Sequence, residues 1–250
     1  MNPTLVASIA FGCIVSGALI GMMVGSRLPD HHQESSSKDV VRLAMAMVGT
    51  MTALVLGLIT ASAKNSFDTE DATVKHTAST ILALDRMLAD YGGETKPIRA
   101  AMHRLIATKA EQMWPEAAGA EETAAPEAGS ERIVDDILAL APSTDAQRWY
   151  QSRALELSGE ILQSRWVVFN GAGNSVQVIF LVVIICWLTV LFGSFALFAP
   201  RNATVIGALL ICTLSVAASI FLILEMDDPF SGLMKISSAP MRYALSHIDQ

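Results

Sequence analysis

Four long stretches without a charged residue dominate the pattern of the chain. They cover residues 4–26, 43–63, 166–200 and 202–224, and Arg201 separates the last two. A bilayer core takes about 20 residues of α-helix to cross, so each stretch predicts a transmembrane span. Between the second and third stretches, apolar residues recur at helical spacing among charged ones, as in an amphipathic helical domain. The pattern therefore predicts an all-α fold: four transmembrane helices with a large helical extramembrane insert between spans 2 and 3.

The predicted domain boundaries follow the same pattern. We place transmembrane helices 1 and 2 in residues 1–64, the helical extramembrane domain in 65–174, transmembrane helices 3 and 4 in 175–226, and a C-terminal tail in 227–250. Within the insert, residues 115–129 are rich in Ala, Glu, Pro and Gly and have few large apolar side chains. Such a composition cannot build a packed core, so we predict a flexible acidic linker there.

Local signals place the helices of the insert. No Gly or Pro occurs between Gly57 and Gly92, which predicts that span 2 continues out of the membrane as one helix that Gly92 terminates. A second helix follows Pro97 and a short one lies near residues 133–140. Ser143 or Thr144 is the predicted N-cap of a long helix that reaches Phe169.

Composition agrees with a membrane protein and does not settle its orientation. The chain of 250 residues is 52% hydrophobic and 16% charged, with a mean hydropathy of +0.44, which excludes an ordinary soluble domain. Residues 65–174 carry 17 acidic and 10 basic residues and hence the entire net charge of -7. Basic residues near the spans are equally numerous on the two sides, so the positive-inside rule decides nothing.

No motif of an enzyme or of a metal site is present. The five histidines lack the HExxH spacing, and Cys13, Cys186 and Cys212 all lie inside apolar spans without a metal-ligand spacing. We therefore expect no catalytic residue, no metal site and no cofactor.

Small residues mark one side of each of the first two spans. In span 1, Gly17, Gly21 and Gly25 recur every four residues, a spacing that lets two helix backbones approach closely in lipid, and we predict helix packing there. In span 2, one face is small and weakly polar and the opposite face is bulky. The small face fits either a close helix contact or the wall of a water-filled ion pathway. The candidate pore-lining residues are Gly49, Thr52, Leu56, Thr60 and Phe67.

An acidic cluster follows span 4. Glu225, Asp227 and Asp228 lie at the C-terminal end of the predicted helix, where the helix dipole is negative and destabilises carboxylates. Glu225 directly follows an apolar run, and a charge so close to hydrocarbon needs a partner. Lys64, at the same level on span 2, is the predicted salt-bridge partner, with Arg165 as a further cation and a bound cation as the rival.

Several segments resemble known families. "LITASAKNSFD", "LDRMLADYGG", "FAPRNAT" and "ISSAPMR" are similar to an uncharacterised bacterial membrane family described as bestrophin-like, over nearly the whole chain except the linker. "EMDDPFSG" also resembles the segment after the last membrane helix of bacterial bestrophin ion channels. In bestrophins that acidic stretch continues into a calcium clasp, whereas here no carboxylate follows until Asp249, which puts calcium binding in doubt.

The resemblance implies a function and an assembly. Bestrophins are pentamers in which the second span lines a central ion pathway, so we expect a homo-oligomeric ion channel that conducts small ions. The same resemblance implies the bacterial inner (plasma) membrane with the insert in the cytoplasm. Four spans put both termini on the same side as the insert, and we expect no nucleic acid as partner. The alternative is a non-conducting membrane scaffold or regulatory protein whose helical insert binds a partner.

Overall fold

The computed structural model describes residues 2–27, 35–114, 128–171, 178–200 and 202–248, without the side chains of 35–37, 128, 130 and 165–171. These residues form eight α-helices and no strand, which confirms the predicted fold class. The helices are α1 (Pro3–Gly25), α2 (Ser35–Tyr91), α3 (Lys96–Met113), α4 (Ala128–Leu138), α5 (Asp145–Gly171), α6 (Val178–Leu197), α7 (Ala203–Met226) and α8 (Ala239–His247).

Four of the helices are long and apolar enough to cross a membrane: α1, α2, α6 and α7. Each corresponds to one predicted span. Arg201 lies outside the described residues, as does the predicted linker except for Ala128 and Gly129, which begin α4.

Helices α1, α6 and α7 pack together. Asn2 caps α1, because its side-chain oxygen accepts hydrogen bonds from the backbone N–H groups of Thr4 and Leu5. The hydrophobic clusters between these helices include the buried side chains of Ile14, Ile184, Leu188, Phe192 and Ile220. The outward sides of the helices also carry large apolar side chains, as expected for a surface that contacts lipid.

Helix α2 is continuous over 57 residues. Since about 20 residues cross a bilayer, much of the helix lies outside the membrane, as the absence of Gly and Pro predicts. It ends at Tyr91 because Gly92 has φ of 137°, a conformation that residues with a Cβ rarely adopt. A 3-10 turn over Gly93–Thr95 then leads into α3, and the buried Thr95 hydroxyl donates to the carbonyl of Gly92 at 2.8 Å.

The chain divides into two compact units. One comprises Met1–Ser66 and Gly173–Asp228, and the other comprises Phe67–Ala172 and Pro229–Gln250. The second unit has its own core. It is built by the outer part of α2, from Phe67 to Tyr91, and by helices α3, α4, α5 and α8. Its most buried members include Leu88, Ile137, Ala154 and Ala244. The tail, which the sequence analysis set apart, thus packs with the insert.

Polar contacts stabilise this second core at its edges. The Thr144 hydroxyl accepts from the backbone N–H of Gln147 at 3.1 Å, so Thr144 caps α5 as the sequence predicts. The Gln151 side chain donates to the carbonyls of Ile137 and Leu140 at 2.9 and 3.0 Å. The Ile137 carbonyl, near the end of α4, also accepts from the Leu140 N–H at 3.3 Å, so Gln151 adds a second donor there and pairs the Leu140 carbonyl just beyond the helix.

Candidate functional site

The spanning part of α2 is the least covered of the four candidate spans. Only 6% of its most apolar stretch is buried by the rest of the chain, against 22% for α1, 28% for α6 and 22% for α7. A span with so little contact inside its own subunit leaves most of its surface for lipid, water or another copy of the chain.

A narrow face of α2 packs against the helices of its own unit. Thr52 and Ala63 are buried on this face, while Val55, Leu56 and Ile59 pack against the core formed around Ile184 and Phe192. A Cβ on Gly49 would lie 3.1 Å from Leu191 Cδ1. Three of the five candidate pore-lining residues, Gly49, Thr52 and Leu56, therefore contact or approach their own subunit.

The exposed remainder of the span has two unlike sectors. Met47, Met51, Leu54 and Leu58 are 61–73% exposed and form a bulky sector. At 100° per residue, the adjacent sector carries only small side chains, all exposed: Ala46, Thr50, Ala53, Gly57 and Thr60. We call this second set the small sector of α2. Lys64 is also exposed and falls in the same angular range one turn beyond Thr60.

The hydroxyls of the small sector are held by the helix backbone. Thr60 Oγ1 donates to the Leu56 carbonyl at 2.7 Å, and Thr50 Oγ1 donates to the Met47 carbonyl at 2.8 Å. Each oxygen keeps its acceptor capacity for water or an ion ligand. Phe67, the last candidate pore residue, is partly buried and belongs to the second unit.

The glycine stripe of α1 lies against α6. A Cβ on Gly17 would meet Thr189 Cγ2 at 2.6 Å and the Thr189 carbonyl oxygen at 2.8 Å. A Cβ on Gly21 would overlap the backbone of Gly193, and one on Gly25 would overlap the backbone of Leu197. The two backbones are thus as close as small-xxx-small sequences allow in lipid.

The acidic cluster is split by burial. Glu225 is 5% exposed, whereas Asp227 is partly exposed and Asp228 is exposed. Asp227 is the C-cap of α7, and the Asp228 N–H donates to the Glu225 carbonyl at 3.4 Å. Among the residues whose positions are described, no three or more His, Cys, Asp or Glu side chains are grouped to hold a metal ion. The Arg165 side chain lies outside the described part, and the pairing of Glu225 with Lys64 stays a prediction.

The segment after the cluster shows contacts that the sequence analysis missed. Pro229 is fully buried, and its carbonyl accepts from the Ile236 N–H at 2.7 Å. Phe230 packs edge-on against Trp114 at 5.6 Å between ring centroids, and Trp114 Nε1 donates to the Ile236 carbonyl at 2.8 Å. The sequence signal for this contact is Trp114, just before the linker, because an indole N–H that is buried on folding needs a hydrogen-bond acceptor.

Comparison with known proteins decides the family of this chain. The family model of the Bestrophin-like domain matches residues 12–241. The chain belongs to this family. Neither the search of curated proteins nor the search of solved structures found a match.

The match agrees with the resemblance found in the sequence. It covers α2, the insert and the acidic cluster, and leaves out only the start of α1 and the last residues of the tail. This bestrophin-like protein is therefore an integral membrane protein, since its four apolar helices are long enough to cross a bilayer.

Proposed function

We propose that this bestrophin-like protein forms a homo-oligomeric ion channel whose pathway is lined by the small sector of α2. The observation that carries the proposal is the division of the exposed surface of α2 into a bulky and a small sector. A bulky apolar sector suits contact with lipid chains. Small side chains and hydroxyls suit a pathway in which an ion keeps part of its water.

The proposal refines the predicted pore-lining face. Thr60 remains a lining residue, while Gly49, Thr52 and Leu56 turn towards their own subunit. The proposed lining sector is therefore rotated about the helix axis by about 60° from the predicted face, which is less than the angle of about 100° between successive residues. Ala53 and Gly57, which also belong to the small side of span 2, lie beside Thr60 in this lining sector.

The family supports an assembly of several copies. One subunit has a single copy of α2, so a pathway lined by this helix needs several subunits around an axis. By resemblance we propose a pentamer in a bacterial inner membrane, with the insert and both termini in the cytoplasm. We propose further that conduction of small ions needs no cofactor and no calcium, because the acidic residues that would continue a calcium clasp are missing from the sequence.

Ion flux through liposomes that contain the purified protein tests the proposal. Thr60→Leu places a bulky side chain in the small sector and should abolish most of the flux of the parent protein. Leu58→Met is the matched control, because Leu58 lies two residues away in the bulky sector and is 68% exposed. This variant should conduct like the parent.

Three outcomes would contradict the proposal. A monomeric parent with no flux at any tested pH, voltage or calcium concentration would exclude a channel. A Thr60→Leu variant that conducts normally would exclude the small sector as the pathway. If the parent is oligomeric without flux and Thr60→Leu weakens the oligomer, the small sector is a packing seam and the protein is a scaffold.

A further inference from the structure

A short loop after the last span exposes two apolar side chains to solvent. Residues 231–235 are all exposed, and we refer to them as the 231–235 loop. Leu233 is 81% exposed and Met234 is 37% exposed. Among the described residues outside the four spans, Leu233 is the most exposed large hydrophobic residue.

The base of the loop is fixed. The Pro229 carbonyl accepts from the Ile236 N–H at 2.7 Å, so the chain returns on itself across the loop. Pro229 and Ile236 are both buried, and Trp114 Nε1 donates to the Ile236 carbonyl at 2.8 Å. Gly232 has φ of 77°, which lets the chain turn sharply at the tip. The loop therefore projects from a well-packed base.

The loop also follows the last span closely along the chain. Leu233 follows Met226, the last residue of the α7 span, by seven positions. Even a fully extended chain covers at most about 3.5 Å per residue, so the tip cannot lie more than about 25 Å from the end of the span.

The side chains of the loop fit a bilayer surface. Apolar side chains can enter the boundary between headgroups and acyl chains, while a neighbouring lysine keeps its ammonium among the phosphates. Lys235 directly follows the two apolar residues and is exposed. A lysine close to a membrane surface is attracted to anionic lipid headgroups.

We propose that the 231–235 loop is a membrane anchor: Leu233 and Met234 enter the bilayer interface and Lys235 contacts anionic headgroups. The loop thereby attaches the beginning of the C-terminal segment, and Trp114 with it, to the membrane surface. This role does not depend on whether the protein conducts ions.

A fluorescent probe on the loop tests the anchor in the full-length protein. Leu233→Cys is made together with Cys13→Ala, Cys186→Ala and Cys212→Ala, labelled with an environment-sensitive dye, and placed in nanodiscs. The anchor predicts blue-shifted emission and strong quenching by nitroxide-labelled lipids. The control is Leu138→Cys in the same background, since Leu138 is an exposed leucine of the same unit at 58%; its label should emit as in water.

Other results would overturn the proposal. Water-like emission at position 233 without lipid quenching would show that the loop stays in solution. Blue-shifted emission without lipid quenching, retained in detergent, would mean that a protein surface covers the tip. Equal quenching at positions 138 and 233 would remove the special role of the loop.

The headgroup contact has its own test. In nanodiscs of anionic lipid, Lys235→Gln should reduce lipid quenching of the dye at position 233, whereas in zwitterionic lipid it should change little. If Lys235→Gln has the same small effect in both lipids, the contact with anionic headgroups is refuted.

Discussion

Arg99 donates two hydrogen bonds to Asp85, from Nε at 2.7 Å and from Nη2 at 2.8 Å, and thereby joins α3 to the outer part of α2. Both side chains are largely buried, at 12% and 8% exposure. The geometry is bidentate, the arrangement in which an arginine and a carboxylate bind most strongly. Asp85 and Arg99 lie on opposite sides of Gly92 along the chain, so the pair holds α3 against α2 across this turn.

Removal of one partner of this pair should destabilise the insert. Asp85→Ala leaves a buried guanidinium without its carboxylate, which typically costs about 3–5 kcal/mol of unfolding free energy. Chemical denaturation followed by circular dichroism measures the loss. The matched control is Asp90→Ala, which breaks the surface pair of Arg86 and Asp90 on the same helix; exposed pairs contribute about 0–1 kcal/mol. Equal losses in the two variants would contradict the buried pair's role.

Substitution in the glycine stripe should separate α1 from α6. Gly21→Leu, and even Gly21→Ala, places a Cβ onto the backbone of Gly193, where no flexible side chain can give way. We expect a loss of at least about 1–3 kcal/mol, as for other overpacked sites, seen as a lower melting temperature in detergent. Gly12→Ala in the same helix is the control, because nothing lies within 4 Å of its Cβ position. A Gly21→Leu variant that melts and migrates like the parent would refute the close contact.

The predicted pairing of Glu225 with Lys64 calls for a double-mutant cycle. Glu225→Gln and Lys64→Met should each destabilise the protein, and the double variant should recover part of the loss, with a coupling energy of about 0.5–3 kcal/mol. The physical reason is that Glu225 is 5% exposed and a buried charge is costly without its partner. Asp228→Asn, at an exposed position, should change stability little.

Strict additivity in that cycle would mean that the two residues do not interact. In that case a cation held by Glu225, Asp227 and Asp228 becomes the better account of the cluster. Stabilisation of the parent, but not of Glu225→Gln, by added calcium or magnesium would support it.

Tyr91 should make the insert sensitive to alkali. Burial raises the pKa of the Tyr91 phenol above its usual value near 10, and the carboxylate of Glu94 raises it further. The folded state therefore favours the neutral phenol. The associated stability is complete below the pKa of the unfolded chain and is lost as the pH rises through the higher pKa of the folded state.

Tyr91→Phe should remove this alkaline loss, which stability curves between neutral pH and pH above about 10 can measure. At neutral pH the variant should be at least as stable as the parent, because the Tyr91 hydroxyl is buried and has no hydrogen-bond partner within the described residues. Leu88→Ala, one turn earlier at a fully buried position, is the contrasting variant and should cost about 2–5 kcal/mol. A marked loss in Tyr91→Phe at neutral pH would show that the hydroxyl makes a stabilising contact.

The sequence by itself determined the four spans, the helical insert and the long α2, since these depend on local properties. An uncharged stretch of sufficient length predicts a span wherever it occurs, and the absence of Gly and Pro from residues 58–91 predicts a continuous helix. The cap at Thr144 and the end of α2 before Gly92 are local in the same sense. The match to the Bestrophin-like domain follows from sequence as well.

Only the tertiary structure decided which surfaces meet. The residue pattern of α2 shows a small side but does not tell which part of that side is covered. In the structure Gly49 approaches Leu191 of α6 and Thr52 is buried, whereas Gly57 and Thr60 stay exposed. The contact of Trp114 with Phe230 and Ile236, which joins the tail to the insert, spans more than a hundred residues of chain. Such contacts depend on the shapes of two distant surfaces at once, and a one-dimensional pattern describes each surface without its partner.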